Sequence, residues 1–560
     1  MSRRWLELSC PLLVAACGAP AREPCAQTSE TTALTASASA PTNGKSLGRV
    51  VRLSPDPRHE VIRTRIDWST NESMPTRWRL PVGGAVRVVT PATGVKLDAQ
   101  AGELTLEPGK VLELEITPNT SATRGGCPLL VTPDKAVFCG DAVLPIPLGG
   151  ADMKVDTLVV VAPDHDLLRH SASSFGLEEE VRATIDFDDL ARAAYLFGDL
   201  GHAELEVQEG RDHAAWMGYF PFDPRWVAAE SAGARTGVDK WFRITRSREE
   251  PSVALLFVNL PRDGEPAALL PIFRGALVRT DLSSPWTARS RIELARLFVQ
   301  RDLAGIDVVP SSEGRFFSEG FAHAMALVIL KDMGLVSRAE AVQEINSWLA
   351  EEALSPLAGR GLADLGALAN TTTPDPQSIE ARRLIAVRGA LAGLSLNDPN
   401  GEGLHGFAAR LLAGGPRELD RVALFDVAAA STKGPRALDV RDKLASGAVI
   451  PLQATDLDTC VGLSDHKLYA FELGFTQRRE ASSERARVDT VTTGSAAEKA
   501  GARAGDEIES LSYSPDQSEV PVRLRVSRKG QSVELSYLPR GRMGQGKLMS
   551  VTSRKGVCEE

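Results

Sequence analysis

The hydrophobic pattern of this chain changes period along its length, and no single layer of secondary structure satisfies all of it. Residues 46–155 carry alternating runs such as Val61-Ile62-Arg63-Thr64-Arg65-Ile66 and Val111-Leu112-Glu113-Leu114-Glu115-Ile116, broken by Pro and Gly turns. Alternation of period two is the mark of half-buried strands, so this part reads as a β-sandwich-like domain. Between 156 and 280 apolar strands such as Thr157-Leu158-Val159-Val160-Val161 mix with helical stretches, and from Trp286 to Leu444 the helical period dominates. Residues 156–445 therefore read as an α+β core followed by a helical lobe. Pro451 opens a last strand-rich segment, 450–545, and residues 546–560 read as a polar tail. The expected fold class is multidomain α+β, which suits 560 residues at roughly 150 per domain.

The chain begins with Arg3 and Arg4, a short apolar stretch through Leu12 and Leu13, and then Val14-Ala15-Ala16-Cys17-Gly18. Small residues before a cut site follow the pattern of a secretory leader. The segment resembles a bacterial lipoprotein lipobox. That resemblance implies a signal peptide over 1–16, cleavage before Cys17 and acylation of its thiol. Each buried methylene of an acyl chain contributes about 0.8 kcal/mol to membrane attachment. Gly18 after the cysteine points to the outer membrane of the cell envelope. Residues 17–45 are small and polar and cannot bury enough surface to offset their ordering entropy, so they read as a flexible tether. No later stretch is long and apolar enough to span a bilayer. The net charge of −9 disfavours phosphate-backbone binding, so no nucleic-acid partner is expected.

Seven cysteines fit an oxidising compartment. Cys10 leaves with the leader and Cys17 takes lipid. Cys127 and Cys139 flank a short strand-like stretch, Cys460 and Cys558 bracket the C-terminal region, and both pairs are expected to close. Cys25 is left unpaired. The absence of any C-x-x-C excludes a thiolate zinc knuckle or a thioredoxin-type site.

The segment Gly314-Arg315-Phe316-Phe317-Ser318-Glu319-Gly320-Phe321-Ala322-His323 leads into a long apolar helix that Gly334 can end at a left-handed cap. It resembles the W-x-x-E-G-F-x-[DE]-Y segment of the glycyl aminopeptidases, a family of PDZ-bearing gluzincin metallopeptidases with a thermolysin-like core. The resemblance implies that Glu319 occupies the third zinc-ligand position. A preceding helix of that family carries H-E-x-x-H, two imidazoles on one face with a general-base Glu between them. Here the equivalent stretch is Ile292-Glu293-Leu294-Ala295-Arg296. Neither Ile292 nor Arg296 can donate a lone pair to zinc, so Glu293 is left as a vestigial base.

Two further positions depart from the same pattern. Phe273-Arg274-Gly275-Ala276-Leu277-Val278 resembles the strand whose Glu holds the substrate amine, with Val278 in that place. Ile385-Ala386-Val387-Arg388-Gly389-Ala390-Leu391 resembles the helix start whose Tyr steadies the oxyanion, with Ala386 in that place. No cofactor is expected. The alternative is zinc or another divalent cation on Glu293, Glu319 and His323. Glu293 has Arg289 one turn before and Arg296 three residues after, which reads as an ion-pair ladder on the helix. If instead the cleft survives, Arg296 is expected to bind Glu319 bidentately in place of the metal, with Ile292 filling the vacated volume. His323, one turn after Glu319, is otherwise expected to hydrogen-bond to it. His59-Glu60-Val61-Ile62-Arg63 lacks a second His and reads as a strand start, and His165 and His170 have no obvious partner.

Arg487-Val488-Asp489-Thr490-Val491 followed by Gly494-Ser495-Ala496-Ala497 and Gly501-Ala502-Arg503-Ala504-Gly505-Asp506-Glu507-Ile508 resembles the core of a bacterial PDZ domain. Leu473, Gly474 and Phe475 would form its carboxylate-binding loop. The stretch from Ile508 to Val522 is too short for the usual groove-lining helix, so the module reads equally as a peptide-binding PDZ and as a structural one clamped by Cys460 and Cys558.

Taken together, the residues favour a membrane-tethered, catalytically inactive relative of the glycyl aminopeptidases. Such a protein binds a peptide or a protein C-terminus at the cell envelope. An active metal-dependent aminopeptidase with a Glu/His site and a structural envelope lipoprotein are the alternatives.

Overall fold

The alternating runs form strands and the 3.6-period runs form helices. In the computed structural model the described residues are 48–560, apart from 69–74, 90–95, 99, 107–110, 120–126, 150, 163–167, 208–209, 245–252, 261–267, 281, 283, 372–374, 398–401, 432–433, 480–485, 515–516, 553–557 and 559–560. The leader, the whole tether with Cys17 and Cys25, and His165 lie outside them.

The N-terminal part is built on β1 (Arg49–Asp56), β2 (Val61–Trp68), β3 (Gly84–Val88), β4 (Val111–Pro118), β5 (Val155–Val161) and β6 (Glu180–Ile185). They form one sheet in the order β6-β5-β1-β2-β4-β3. Its apolar face shares a core with two smaller four-stranded sheets, through Val51, Ile66 and Leu114 on one side and Trp78, Phe138 and Tyr195 on the other. The domain boundary expected at 155 has to move. β5 pairs in parallel with β1, Arg49 opposite Thr157, and the same core runs on to Phe197. Arg49 is buried across this seam, its Nε donating to Thr157 Oγ1 at 2.7 Å and its guanidinium lying 4.2 Å above the Phe187 ring. Burial pushes its pKa down to about 10. His59 and Glu60 lie in the turn before β2, Glu60 at φ +53° and His59 Nδ1 2.7 Å from Asp56.

A second sheet follows, from β7 (Gly201–Val207), β8 (Gly210–Met217), β9 (Ala254–Asn259), β10 (Ala268–Ile272) and β11 (Gly275–Thr280), in the order β7-β8-β9-β11-β10. The central three are parallel and both edges antiparallel. Helices α1 (Pro224–Phe242) and α2 (Ala288–Asp302) pack on it. Asp223 caps α1, Pro224 supplies a preset φ at its first turn, and Thr287 with Ser290 forms a capping box on α2.

A π-helical turn, Phe316–Phe321, runs into α3 (Ala322–Asp332), which ends as expected at Gly334 with φ +72°. The lobe continues through α4 (Arg338–Leu354), α5 (Leu362–Ala369), α6 (Pro376–Ser395), α7 (Gly403–Ala413), α8 (Arg421–Ser431) and α9 (Gly434–Ser446).

The C-terminal region starts with β12 (Val461–Phe471) and continues through β13 (Phe475–Arg479), β14 (Ala486–Val491), a short α10 (Ala496–Lys499), β15 (Glu507–Ser512), β16 (Val522–Arg528), β17 (Gln531–Tyr537) and β18 (Arg540–Val551). Strands β13 to β17 form a sheet in chain order, and β12 pairs with β18 as a separate ribbon. The tail expected from 546 is therefore in part a strand, since 546–551 complete β18. Both expected disulfides are present, Cys127–Cys139 with Cα atoms 6.2 Å apart and Cys460–Cys558 with 5.5 Å.

One buried charge ties the lobe together. Arg388 on α6 is 1% exposed; its Nε donates to Glu352 on α4 at 3.2 Å, Nη2 to the Gly447 carbonyl at 3.2 Å and Nη1 to the Arg360 carbonyl. Burial raises the Glu352 pKa against the attraction of Arg388. Arg388→Ala should cost about 3–5 kcal/mol by stranding Glu352. Replacing both residues by Leu should recover most of that loss, with urea unfolding as the measurement.

Candidate functional site

Residues 292, 293 and 296 all lie on α2, but they face different surroundings. Ile292 is fully buried in the core that α2 shares with α3 and α6. Val278, on β11, is 1% exposed and belongs to the same core. Arg296 turns to its own helix, where Nε and Nη2 both reach Glu293 Oε2 at 2.7 Å. This i,i+3 pair is the ion-pair reading of the helix, and the alternative Arg296–Glu319 bond is not formed.

Glu319 is engaged elsewhere. Arg315, four residues earlier, donates from Nη1 to its Oε1 at 2.6 Å. Glu319, which lies in the π turn, and His323 beyond it do not pair, because each has other partners. The carbonyl of Ser318, within that turn, accepts a bond from Gln300 Nε2 at 2.6 Å. Gly320 and Gly389 have a packing role. A Cβ on Gly389 would lie 1.9 Å from the Phe316 carbonyl oxygen, and one on Gly320 would lie 2.4 Å from that of Ala386.

What does converge is a cluster on three helices. His323 on α3 lies between two carboxylates, Nδ1 3.9 Å from Glu293 Oε1 and Nε2 3.4 Å from Glu344 Oε1 on α4. Trp348 Nε1 donates to the same Glu344 oxygen at 3.1 Å, and its ring meets the imidazole edge to face at 4.8 Å. Burial pushes the Glu293 carboxyl up, but His323, Arg296 and Arg289 outweigh it and hold its pKa below the ordinary 4.5. For Glu344 burial is again opposed, by His323, Arg289 and the Trp348 hydrogen bond, with the same net direction. The sequence reading missed Glu344 and Trp348. The available signal was a carboxylate on the inward stripe of α4, where Ala341, Ile345, Trp348 and Leu349 are all buried.

Zinc does not fit these residues. Of its three expected ligand positions one is an alkyl side chain, one a guanidinium, and the third a carboxylate already held by Arg315. Glu293, Glu319 and His323 do not form the alternative site either. Among the described residues no group of three or more His, Cys, Asp or Glu is placed to hold a metal ion.

The architecture has solved counterparts. The chain superposes on an aminopeptidase N family protein from Idiomarina loihiensis with a TM-score of 0.58 at 12% identity, over 90% of this chain and 98% of that one. An M1 zinc metallopeptidase from Deinococcus radiodurans gives 0.44 at 14%, over 73% of this chain and 97% of that one. Yeast LTA4 hydrolase gives 0.43 at 12%, over 73% and 68%. No protein-family model and no curated protein matches the chain. The first of these likenesses shows a fold shared with an aminopeptidase N family protein, and at 12% identity it shows the fold alone.

The depressed carboxylates make the cluster acid-sensitive. Groups with a lowered folded pKa contribute stability that is complete above the unfolded value of 4.5 and is lost as pH falls through the folded one. Glu293→Gln should therefore be about 1 kcal/mol less stable than wild type at pH 7. That gap should shrink as pH falls below 4.5. Comparing variant with wild type cancels Glu352 and Asp212, whose pKa values burial raises. An unchanged gap from pH 7 to pH 3 in urea titrations would show that the cluster is not linked to folding.

Proposed function

We propose that this chain uses a gluzincin peptidase-like scaffold for binding rather than hydrolysis, as a degenerate relative of the glycyl aminopeptidases tethered to the cell envelope. The observation that carries this reading is the fate of the three ligand positions. Ile292 is absorbed into the core, Arg296 is tied to Glu293 and Glu319 is tied to Arg315. Loss of the amine-holding and oxyanion side chains at Val278 and Ala386 points the same way.

The C-terminal sheet supplies the binding edge in this reading, as a PDZ-like module for a peptide or protein C-terminus. Its loop is held from inside: the Leu473 carbonyl accepts from Tyr537 Oη at 2.7 Å, and the Gly474 carbonyl accepts from Thr492 N at 2.9 Å. In a planar trans peptide the next N–H points the opposite way, so the amides of Gly474 and Phe475 are directed outward. Two such amides beside the open edge of β13 suit a terminal carboxylate, with the peptide adding as a strand. Gly474 has φ +80°, and a Cβ there would lie 2.9 Å from that of Ala497. Among the described residues no helix occurs between β15 and β16, which leaves this edge with a single wall.

Metal analysis with an aminoacyl-substrate screen tests the central claim. The expected outcome is substoichiometric zinc and no turnover, and stoichiometric zinc lost in Glu319→Ala would overturn it. For the edge, Gly474→Ala should weaken a peptide with a free carboxylate at least tenfold. For the tether, mass spectrometry should find acylated Cys17 as the mature N-terminus, and unchanged membrane attachment in Cys17→Ser would exclude it.

A further inference from the structure

Apart from the β13 edge, we infer that the cleft between the helical lobe and the β12–β18 ribbon is a second binding site, for an extended peptide segment that alternates acidic and apolar side chains. The cleft holds about 900 Å³, at the upper end of the range for ligand sites, roughly 300–1,000 Å³. Helices α4 and α6 line one part of it and residues His466 to Phe471 of β12 another. Leu354, Leu384, Leu468 and Phe471 give it apolar lining.

Two of its acids already have cations. Glu351 is held by Arg383 at 2.6 and 2.8 Å, and Glu519 accepts from Arg540 Nε at 3.0 Å. Glu380 accepts from the Ser355 hydroxyl at 2.6 Å. Two cations of the lining are left over. Arg289, in the first turn of α2, and Lys467, on β12, make no ion pair or hydrogen bond among the described residues. The field of Arg289 reaches Glu293 and Glu344, but Arg296 and His323 already serve those carboxylates. Carboxylates of an entering ligand would meet both spare cations in a partly desolvated cleft.

The backbone of β12 indicates an extended ligand. Thr552 N donates to the Cys460 carbonyl at 2.9 Å, which makes Val461 and Val551 a non-hydrogen-bonded pair of the ribbon. Alternation then directs the N–H and C=O of Leu463, Asp465, Lys467 and Tyr469 away from β18. No other strand takes that edge among the described residues. The opposite edge confirms the register. There Met549 faces outward from β18, and the Asn346 amide takes both its N–H, at 2.7 Å, and its C=O, at 2.9 Å. Lys467 and Tyr469 both line the cleft, so a chain added along β12 places alternate side chains against the cations and the apolar lining.

The test uses the full chain and a fluorescein-labelled ten-residue peptide alternating Glu and Leu, acetylated and amidated at its ends. The amide removes the carboxylate that the Gly474 loop would need. Binding by anisotropy is expected to weaken at least tenfold when Lys replaces Glu in the peptide, and likewise in Arg289→Glu/Lys467→Glu. It should fall with added salt and be unchanged in Gly474→Ala. In the unmutated protein the peptide should slow hydrogen exchange at the Lys467 and Tyr469 amides. No binding, equal binding of the Glu and Lys peptides, unslowed exchange at those two amides, or loss of affinity in Gly474→Ala would each overturn the site. The last result would place the peptide on β13 instead.

Discussion

The helical lobe depends on one backbone contact, the crossing of the π turn over α6. Gly320 and Gly389 face each other's helices with no Cβ between them, and at either position a methyl would run into a carbonyl oxygen. Ordinary helix pairs stay about 8–10 Å apart because side chains separate them, and this pair is closer because it has none there. Once α6 is seated, its remaining faces are assigned. Leu384 and Leu391 join the core and Arg388 reaches Glu352, which fixes α4. The position of α4 in turn brings Glu344 and Trp348 to His323.

Two glycine-bearing segments of the sequence serve that contact. Glu319-Gly320-Phe321 and Arg388-Gly389-Ala390-Leu391 keep the residues that let two backbones approach and the arginine that anchors the helix. Ile292 and Val278 are packing residues as well, buried in the same core. A half-buried carboxylate is stabilised by a cation, and the nearest is on its own helix, since an i,i+3 or i,i+4 neighbour brings two side chains together without ordering a distant segment. Glu293 takes Arg296 and Glu319 takes Arg315 for that reason.

The legible part of this structure is the part set by local pattern. Period-two runs became β2 and β4, the left-handed stop at Gly334 is where its sequence placed it, and the short stretch after Ile508 holds no described helix. Both disulfides followed from cysteine spacing and compartment. Errors arose where a long-range partner decides the outcome. Nothing near residue 155 announces that β5 will lie beside β1, more than a hundred residues away, around a buried Arg49. The polar, Gly-rich run after 540 reads as a tail because the ribbon it forms is largely exposed, and Gly544 and Gly546 are there to approach Ala353 on α4. The Arg296–Glu319 bond did not form because each of the two found a partner on its own helix, Arg296 in Glu293 and Glu319 in Arg315.

The ribbon also governs how the C-terminal sheet is attached. The chain enters that sheet through β12 and leaves it through β18, and Cys460–Cys558 closes a loop of 98 residues around the whole of it. In the chain-entropy model a loop of that length is worth about 4–5 kcal/mol against unfolding, more than a single surface contact could supply. The lobe holds the ribbon by a different means. Asn346 binds both backbone groups of Met549 as a neighbouring strand would, so α4 stands in for a third strand at that point. A covalent clasp at one end and a strand-like bond along one side leave the other side of β12 as the unpaired edge of the ribbon among the described residues. Phe471, which ends β12, is followed within three residues by the Gly474 loop and β13. One continuous stretch of chain therefore carries both exposed edges, and the same disulfide that fixes the first fixes where the second begins.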